Sequence, residues 1–285
     1  MKDSEIYFEI AKLLSQGEKC VLATVTRTQG STPRKAGAKM LIQENGTFSG
    51  SIGGGCVEAE VYAKAKEQFS KSKPSIFSFV LNETDAANFG LRCGGTIDVY
   101  MERIMPKNIF YLVGAGHISF ALSKILDMVG FEVHVVDDNP SFANSERFPN
   151  AVIHLGSFED GLDSVPEGEQ IGILIATRGH AEDSIAIKKL AKKRFGYFGI
   201  ITSKKRLIEL GTLFVSAGGS IEKVERISAP AGLDIGAETP EEIAVAVTAE
   251  VLCAFRGGNY IPLSEQFRKM PAGKKLRELI EKNLG

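Results

Sequence analysis

From residue 109 onward, short apolar runs alternate with stretches of helical period. Ile109-Phe110-Tyr111-Leu112-Val113 precedes a periodic segment from Ile118 to Val129, and Glu132 to Asp137 follows. Runs at 151–154, 171–176 and 197–201 are separated by periodic segments at 181–193 and 203–213. Runs of four to six apolar residues read as buried strands, and regular alternation with helices reads as a parallel sheet built from strand–helix–strand units. Ahead of residue 105 the rhythm differs. Ser4 precedes the apolar positions Ile6, Ile10, Leu13 and Leu14 of a capped amphipathic helix. Cys20 to Thr26 reads as a buried strand, and residues 29–38 as a polar loop. Two short strands, 39–43 and 47–51, flank Asn45-Gly46, a dipeptide suited to a type I′ hairpin turn. Residues 56–69 regain helical spacing, and 96–103 reads as another strand. Thr239, Pro240 and Glu242 together form a strong start for a helix reaching Phe255.

The expected class is therefore α/β: an N-terminal mixed α/β domain rich in glycine and cysteine loops (residues 1–105), then a Rossmann-like, doubly wound parallel sheet (108–258). A tail with a basic amphipathic helix occupies 259–285. The 285 residues are 44% hydrophobic and 24% charged, enough to bury a full core in two domains. No window approaches the roughly 18 consecutive apolar residues of a membrane span, and the N-terminus is acidic rather than leader-like, so a cytoplasmic location is expected. A formal net charge of -1 gives no broad attraction for nucleic acid or anionic lipid, and the basic runs 192–194 and 204–206 read as solvated helix surface. The four cysteines lack CxxC spacing, which argues against a zinc site or a disulfide framework. Cys20 and Cys253 read as small core residues.

The remaining thiols stand beside glycines, in Gly53-Gly54-Gly55-Cys56-Val57-Glu58 and in Cys93-Gly94-Gly95. A helix beginning at Cys56 places that thiol among amides that lack intrahelical partners. Such a position lowers a thiol pKa from about 8.5 toward neutrality. Cys93 has Arg92 beside it to favour the anion. Both remain open between sulfur chemistry and simple turn packing.

Gly114-Ala115-Gly116, between a strand and a helix, is a nucleotide-binding fingerprint with Ser119 in place of the third glycine. Asp137 lies near the spacing of a ribose-binding carboxylate, with Asp138 as the neighbouring choice. His117 follows the fingerprint. His180, in Thr177-Arg178-Gly179-His180, suits proton transfer or a helix start, while His134 and His154 fall within strands. On these residues alone, an NAD(P)-dependent oxidoreductase that prefers NAD competes with a binding or docking protein.

In order along the chain, Gln29-Gly30-Ser31-Thr32-Pro33-Arg34, Gly50-Ser51-Ile52-Gly53-Gly54-Gly55-Cys56-Val57-Glu58, Cys93-Gly94-Gly95, Val113-Gly114-Ala115-Gly116-His117, Thr177-Arg178-Gly179-His180 and 232–242 resemble the XdhC/CoxI family of xanthine dehydrogenase accessory proteins. The resemblance implies an accessory protein rather than an enzyme: a chaperone for molybdenum cofactor (molybdopterin) that shelters it during sulfuration and passes it to a xanthine dehydrogenase-type hydroxylase. A cysteine desulfurase as sulfur donor and a homodimer would suit that role. It makes Cys56 and Cys93 ligand-contacting or sulfur-handling residues and Arg34 an anion contact. The tail after Gly258 and the stretch Ile201-Thr202-Ser203 depart from the family pattern.

Overall fold

The computed structural model describes residues 2–71, 73–80, 95–203 and 206–265, and of Cys56 the backbone alone. Cys93, Gly94, Lys204, Lys205 and the tail helix lie outside the described residues. Two compact units meet in sequence between Lys107 and Asn108.

The first unit is a five-stranded antiparallel sheet with a helix on each face. Its elements are α1 (Asp3–Ser15), β1 (Cys20–Gly30), β2 (Lys39–Gln43), β3 (Phe48–Gly50), α2 (Cys56–Gln68), β4 (Ser75–Val80) and β5 (Gly95–Ile104), in the order β3-β2-β1-β5-β4. Alternation along β1 sends Cys20 and Leu22 toward Ile6, Ile10 and Leu13 of α1, and Val21, Ala23 and Val25 toward Val57, Val61 and Ala65 of α2. Each fully buried aliphatic side chain contributes about 1.5–3 kcal/mol, so the two clusters fix which face each helix covers. β1 runs four residues past the predicted strand, because it pairs with β5 as far as Gly30–Gly95, across a bulge between Val25 and Arg27.

Three details differ from the sequence reading. Lys2, not Ser4, precedes the first helix, and Glu5 accepts the Lys2 amide at 2.7 Å. The hairpin is not type I′. The Gly46 amide reaches the Gln43 carbonyl at 3.0 Å and Gly46 alone takes a positive φ of 93°, which is a type I turn followed by a left-handed glycine. β4 escaped detection because Ile76, Ser78 and Val80 face outward, leaving an edge strand without a clean polar face.

The second unit comprises β6 (Ile109–Val113), α3 (His117–Met128), β7 (Glu132–Asp137), β8 (Val152–Leu155), α4 (Phe158–Asp163), β9 (Gly168–Ile175), α5 (His180–Leu190), β10 (Phe195–Ile200), α6 (Leu207–Ser216), α7 (Ile221–Val224) and α8 (Pro240–Arg256). All paired strands are parallel, in the order β10-β9-β6-β7-β8. Ser228 adds to the free side of β10. Its amide meets the Phe198 carbonyl and its carbonyl takes the Ile200 amide, each at 2.9 Å. α3 and α8 share one hydrophobic cluster with Phe110, Leu112 and Val135. α4, α5 and α6 share another with Tyr111, Val113 and Ile173 on the opposite face, so the sheet is doubly wound. α8 begins as predicted, with Thr239 accepting the Glu242 amide at 3.2 Å and Glu242 accepting the Thr239 amide at 3.0 Å. The helix expected at 203–213 instead starts at Leu207. Cys20 is fully buried, and burial followed by the nearby Glu9 charge pushes its thiol up to about 11. Cys253, by contrast, is only half-buried on α8.

Candidate functional site

In the first unit the glycine triplet is a loop that delivers the N-terminus of α2, with Cys56 as its first residue. Gly54 and Gly55 take φ of 79° and 62°, a region that other residues enter at a cost of about 1–2 kcal/mol. A Cβ at Gly53 would stand 3.0 Å from the Pro33 ring, whereas one at Gly54 would meet nothing within 4 Å. Glu58, half-buried in the first turn of α2, holds the loop: it accepts the Ser51 hydroxyl at 2.6 Å and the Gly54 amide at 3.0 Å. Arg34 reaches the Ser51 carbonyl from the other side at 3.4 Å, leaving an exposed guanidinium beside the loop. Glu58 was legible only as one letter of a motif, and its role needs the fold.

The second cysteine–glycine element ends in described residues at Gly95. There a Cβ would stand 2.6 Å from the carbonyls of both Gln29 and Ser31 and 2.9 Å from the Thr32 methyl, so only glycine lets the strands close. Val80 pairs with Thr96, which places both flanks of the segment bearing Cys93 and Gly94 at this end of the sheet. Residues 29–34 thus touch Gly95 through Gln29, Ser31 and Thr32, and the triplet loop through Pro33 and Arg34. Gly53 and Gly95, about forty residues apart, stand on one rim.

In the second unit the fingerprint turn follows β6. A Cβ on Gly114, whose φ is 103°, would overlap the Ala176 carbonyl, so the turn and the end of β9 approach as closely as backbones allow. The next residue is held at both ends: Asp137 accepts the Ala115 amide at 2.7 Å, and Arg147 donates to the Ala115 carbonyl at 3.0 Å. The other Asp137 oxygen accepts the Asn139 amide at 2.8 Å and the residue is 7% exposed, so both oxygens hold backbone. Asp138 is the exposed carboxylate at this strand end. It pairs with Arg178 at 2.6 Å, and Arg178 also approaches Glu182 at 3.8 Å.

His117 and His180 occupy equivalent places, each exposed, each the first residue of a helix after a glycine N-cap, and each at the carboxyl edge of the sheet. Gly116, the N-cap of α3, has open space where a Cβ would stand. Behind His180, buried Asp183 accepts from Thr177 at 2.5 Å and pairs with Arg206 at 3.1 Å, tying together the loops after β9 and β10. Glu250 ties down the loop after Ser228, accepting the Tyr197 hydroxyl and the Gly232 amide, each at 2.8 Å. Burial, then this carboxylate, pushes the Tyr197 hydroxyl far above its ordinary value. His134 of β7 and His154 of β8 touch at 2.9 Å across the two neighbouring strands. Among the described residues no cluster of three or more metal-ligating side chains occurs, and no helix is long and apolar enough to cross a membrane.

Residues 13–80 match the XdhC and CoxI family, and residues 110–251 match the XdhC Rossmann domain. YqeB of Escherichia coli strain K12 is 32% identical over 249 residues, which are 87% of this chain and 46% of YqeB, so the chain spans less than half of that relative. A probable xanthine dehydrogenase subunit of Bacillus subtilis strain 168 is 25% identical over an alignment of 318 positions, covering 84% of this chain and 94% of the relative. The molybdenum cofactor insertion chaperone PaoD of Escherichia coli strain K12 is 29% identical over 97 residues, 34% of this chain and 30% of PaoD. A solved structure of a xanthine dehydrogenase from Bacillus halodurans covers 95% of this chain and 98% of its own at 23% identity, with a TM-score of 0.49. The two family matches fall one in each structural unit, in the order in which the units occur, and the chain belongs to the XdhC/CoxI family.

Proposed function

We propose that the chain is an accessory protein of a xanthine dehydrogenase-type molybdenum hydroxylase, and that its cargo is molybdenum cofactor held at the shared glycine rim of the first unit. The observation that carries this reading is the meeting of the Gly53–Gly55 loop, the α2 N-terminus with Cys56, Arg34 and the Gly95 end of the second thiol-bearing segment. The cofactor has a phosphate and a soft metal–dithiolene end. Unpartnered helix amides and a guanidinium suit the phosphate, and thiols suit the soft end. The open space over Gly54 fits a ligand approaching backbone, and the matches to PaoD and to the Bacillus subtilis relative support the same direction.

On this reading Cys56 and Cys93 contact the cargo or handle sulfur. The protein shelters the cofactor while a cysteine desulfurase supplies the sulfur that replaces a terminal oxygen, and then releases it to the hydroxylase. A homodimer belongs to the same proposal. The second unit takes a nucleotide at its fingerprint turn, through Gly114, Gly116 and His117, with Asp137 holding the turn. NAD(P), and with it an oxidoreductase, is the alternative occupant, favoured by the pre-set conformation of that turn.

Anaerobic release of cofactor from a donor molybdoenzyme, followed by equilibrium binding, tests the reading. Near-stoichiometric retention by the wild type, strongly reduced in Cys93→Ala or Cys56→Ala with circular dichroism unchanged, is the expected result. No retention by wild type removes the cargo and leaves NAD(P) titration as the next measurement.

A further inference from the structure

The carboxyl edge of the second unit carries an ion pair that spans the fingerprint turn. Arg178 follows β9 and Asp138 follows β7, while β6, with Gly114 at its end, lies between those strands. The pair therefore bridges over the turn and occupies the exposed carboxylate at the end of β7. Asp137 is 7% exposed and each of its oxygens already accepts a backbone amide, so the carboxylate that this edge presents to a sugar diol is Asp138. To meet it, the diol must displace Arg178. That displacement is easy, because Arg178 and Asp138 side chains are 54% and 40% exposed and such pairs are only weakly held in water. Arg178 has a second anchor in Glu182, one helical turn along, which would keep the guanidinium at the crevice after it leaves Asp138.

We propose that Arg178 is an exchange latch: a ligand bearing a vicinal diol and a phosphate takes Asp138 with its diol, and Arg178 passes from Asp138 to the phosphate while Glu182 retains it. The proposal rests on the reading of this crevice as a nucleotide site and adds how the site selects. A nucleoside without phosphate must break the ion pair and gains nothing from the freed arginine. A nucleotide regains the lost contact as a charge-assisted hydrogen bond. The latch thus favours phosphorylated ligands over their nucleosides by more than phosphate binding at the glycine turn alone.

The test compares adenosine with ADP, and cytidine with CDP, by titration calorimetry and ligand-observed NMR on the full chain. Arg178→Ala removes the competitor and the phosphate contact together. Binding of the nucleoside should tighten about threefold and that of the diphosphate weaken about tenfold, in line with one weak surface pair against one charge-assisted contact. Asp138→Asn should weaken both ligands, and the 2′-deoxy nucleosides should be indifferent to it. If Arg178→Ala moves nucleoside and diphosphate in the same direction, Arg178 is only a surface ion pair and the latch is wrong while the nucleotide site stands. If the folded wild type binds none of the four probes at millimolar concentration, the nucleotide reading of the crevice fails and the latch falls with it.

Discussion

The two glycine turns, one in each unit, are built on opposite plans. Around Gly114–Gly116 the central residue, Ala115, is fixed at its amide by Asp137 and at its carbonyl by Arg147, and the backbone touches the end of β9. Around Gly53–Gly55 one carboxylate, Glu58, and one long contact from Arg34 hold a loop with open space over Gly54. The first turn is pre-set and small, and asks a ligand to fit it. The second can adjust to a bulky one. Rigid backbone suits a phosphate of fixed size, whereas an adjustable loop suits a cargo that must be taken up and given away, since tight fixation slows release.

Alanine at the two turns gives the widest separation. Gly114→Ala adds a Cβ where the Ala176 carbonyl stands, at a positive φ, and should cost about 3 kcal/mol or more. Gly54→Ala meets open space and should cost only about 1–2 kcal/mol, from its φ alone. Urea denaturation followed in each variant checks this, and equal losses would remove the contrast. Arg147→Met comes next. It keeps an apolar stem among the Phe120, Phe142 and Phe148 rings and removes the donor to the Ala115 carbonyl, with an expected loss of about 1.5–3 kcal/mol. An unchanged midpoint would mean that Asp137 holds the turn alone.

The smallest effect concerns acid. Burial, then the neighbouring His134, lowers the His154 pKa from its ordinary 6.5, so the folded chain prefers the neutral ring. The stability this lends is complete above that ordinary value and is lost as the pH falls from there through the lower folded value. Replacing the ring by glutamine should shrink the change in urea midpoint between pH 7.5 and 5.5. An identical pH dependence in His154→Gln would exclude this histidine.

What the sequence made legible follows from locality. The β6 run, the Gly114–Gly116 turn and the Thr239–Glu242 helix start depend on neighbours within a few residues, and each stands where pattern placed it. Asp137 illustrates the limit. Its spacing pointed to a ribose contact but carried no sign of the Ala115 and Asn139 amides that its two oxygens accept, which only the folded turn brings to it. β4 escaped because its alternation runs apolar outward. The convergence of Gly95 with Gln29 and Ser31 needed the pairing of β1 with β5, a contact across some seventy residues, and that of Pro33 with Gly53 needed the pairing of β2 with β1 and β3.

Ser228, added alongside β10, changes what one border of the parallel sheet offers to other molecules. The Phe198 carbonyl and Ile200 amide, which would otherwise present a template for a foreign strand, are engaged by the chain itself, and the Ala231 amide donates to the Ile200 carbonyl at 3.0 Å. An unpaired strand border is the usual nucleus for fibrous self-association. In this unit recruitment of another molecule by strand addition is left to β8, a strand of four residues from Val152 to Leu155, too brief a ribbon to seed a growing stack.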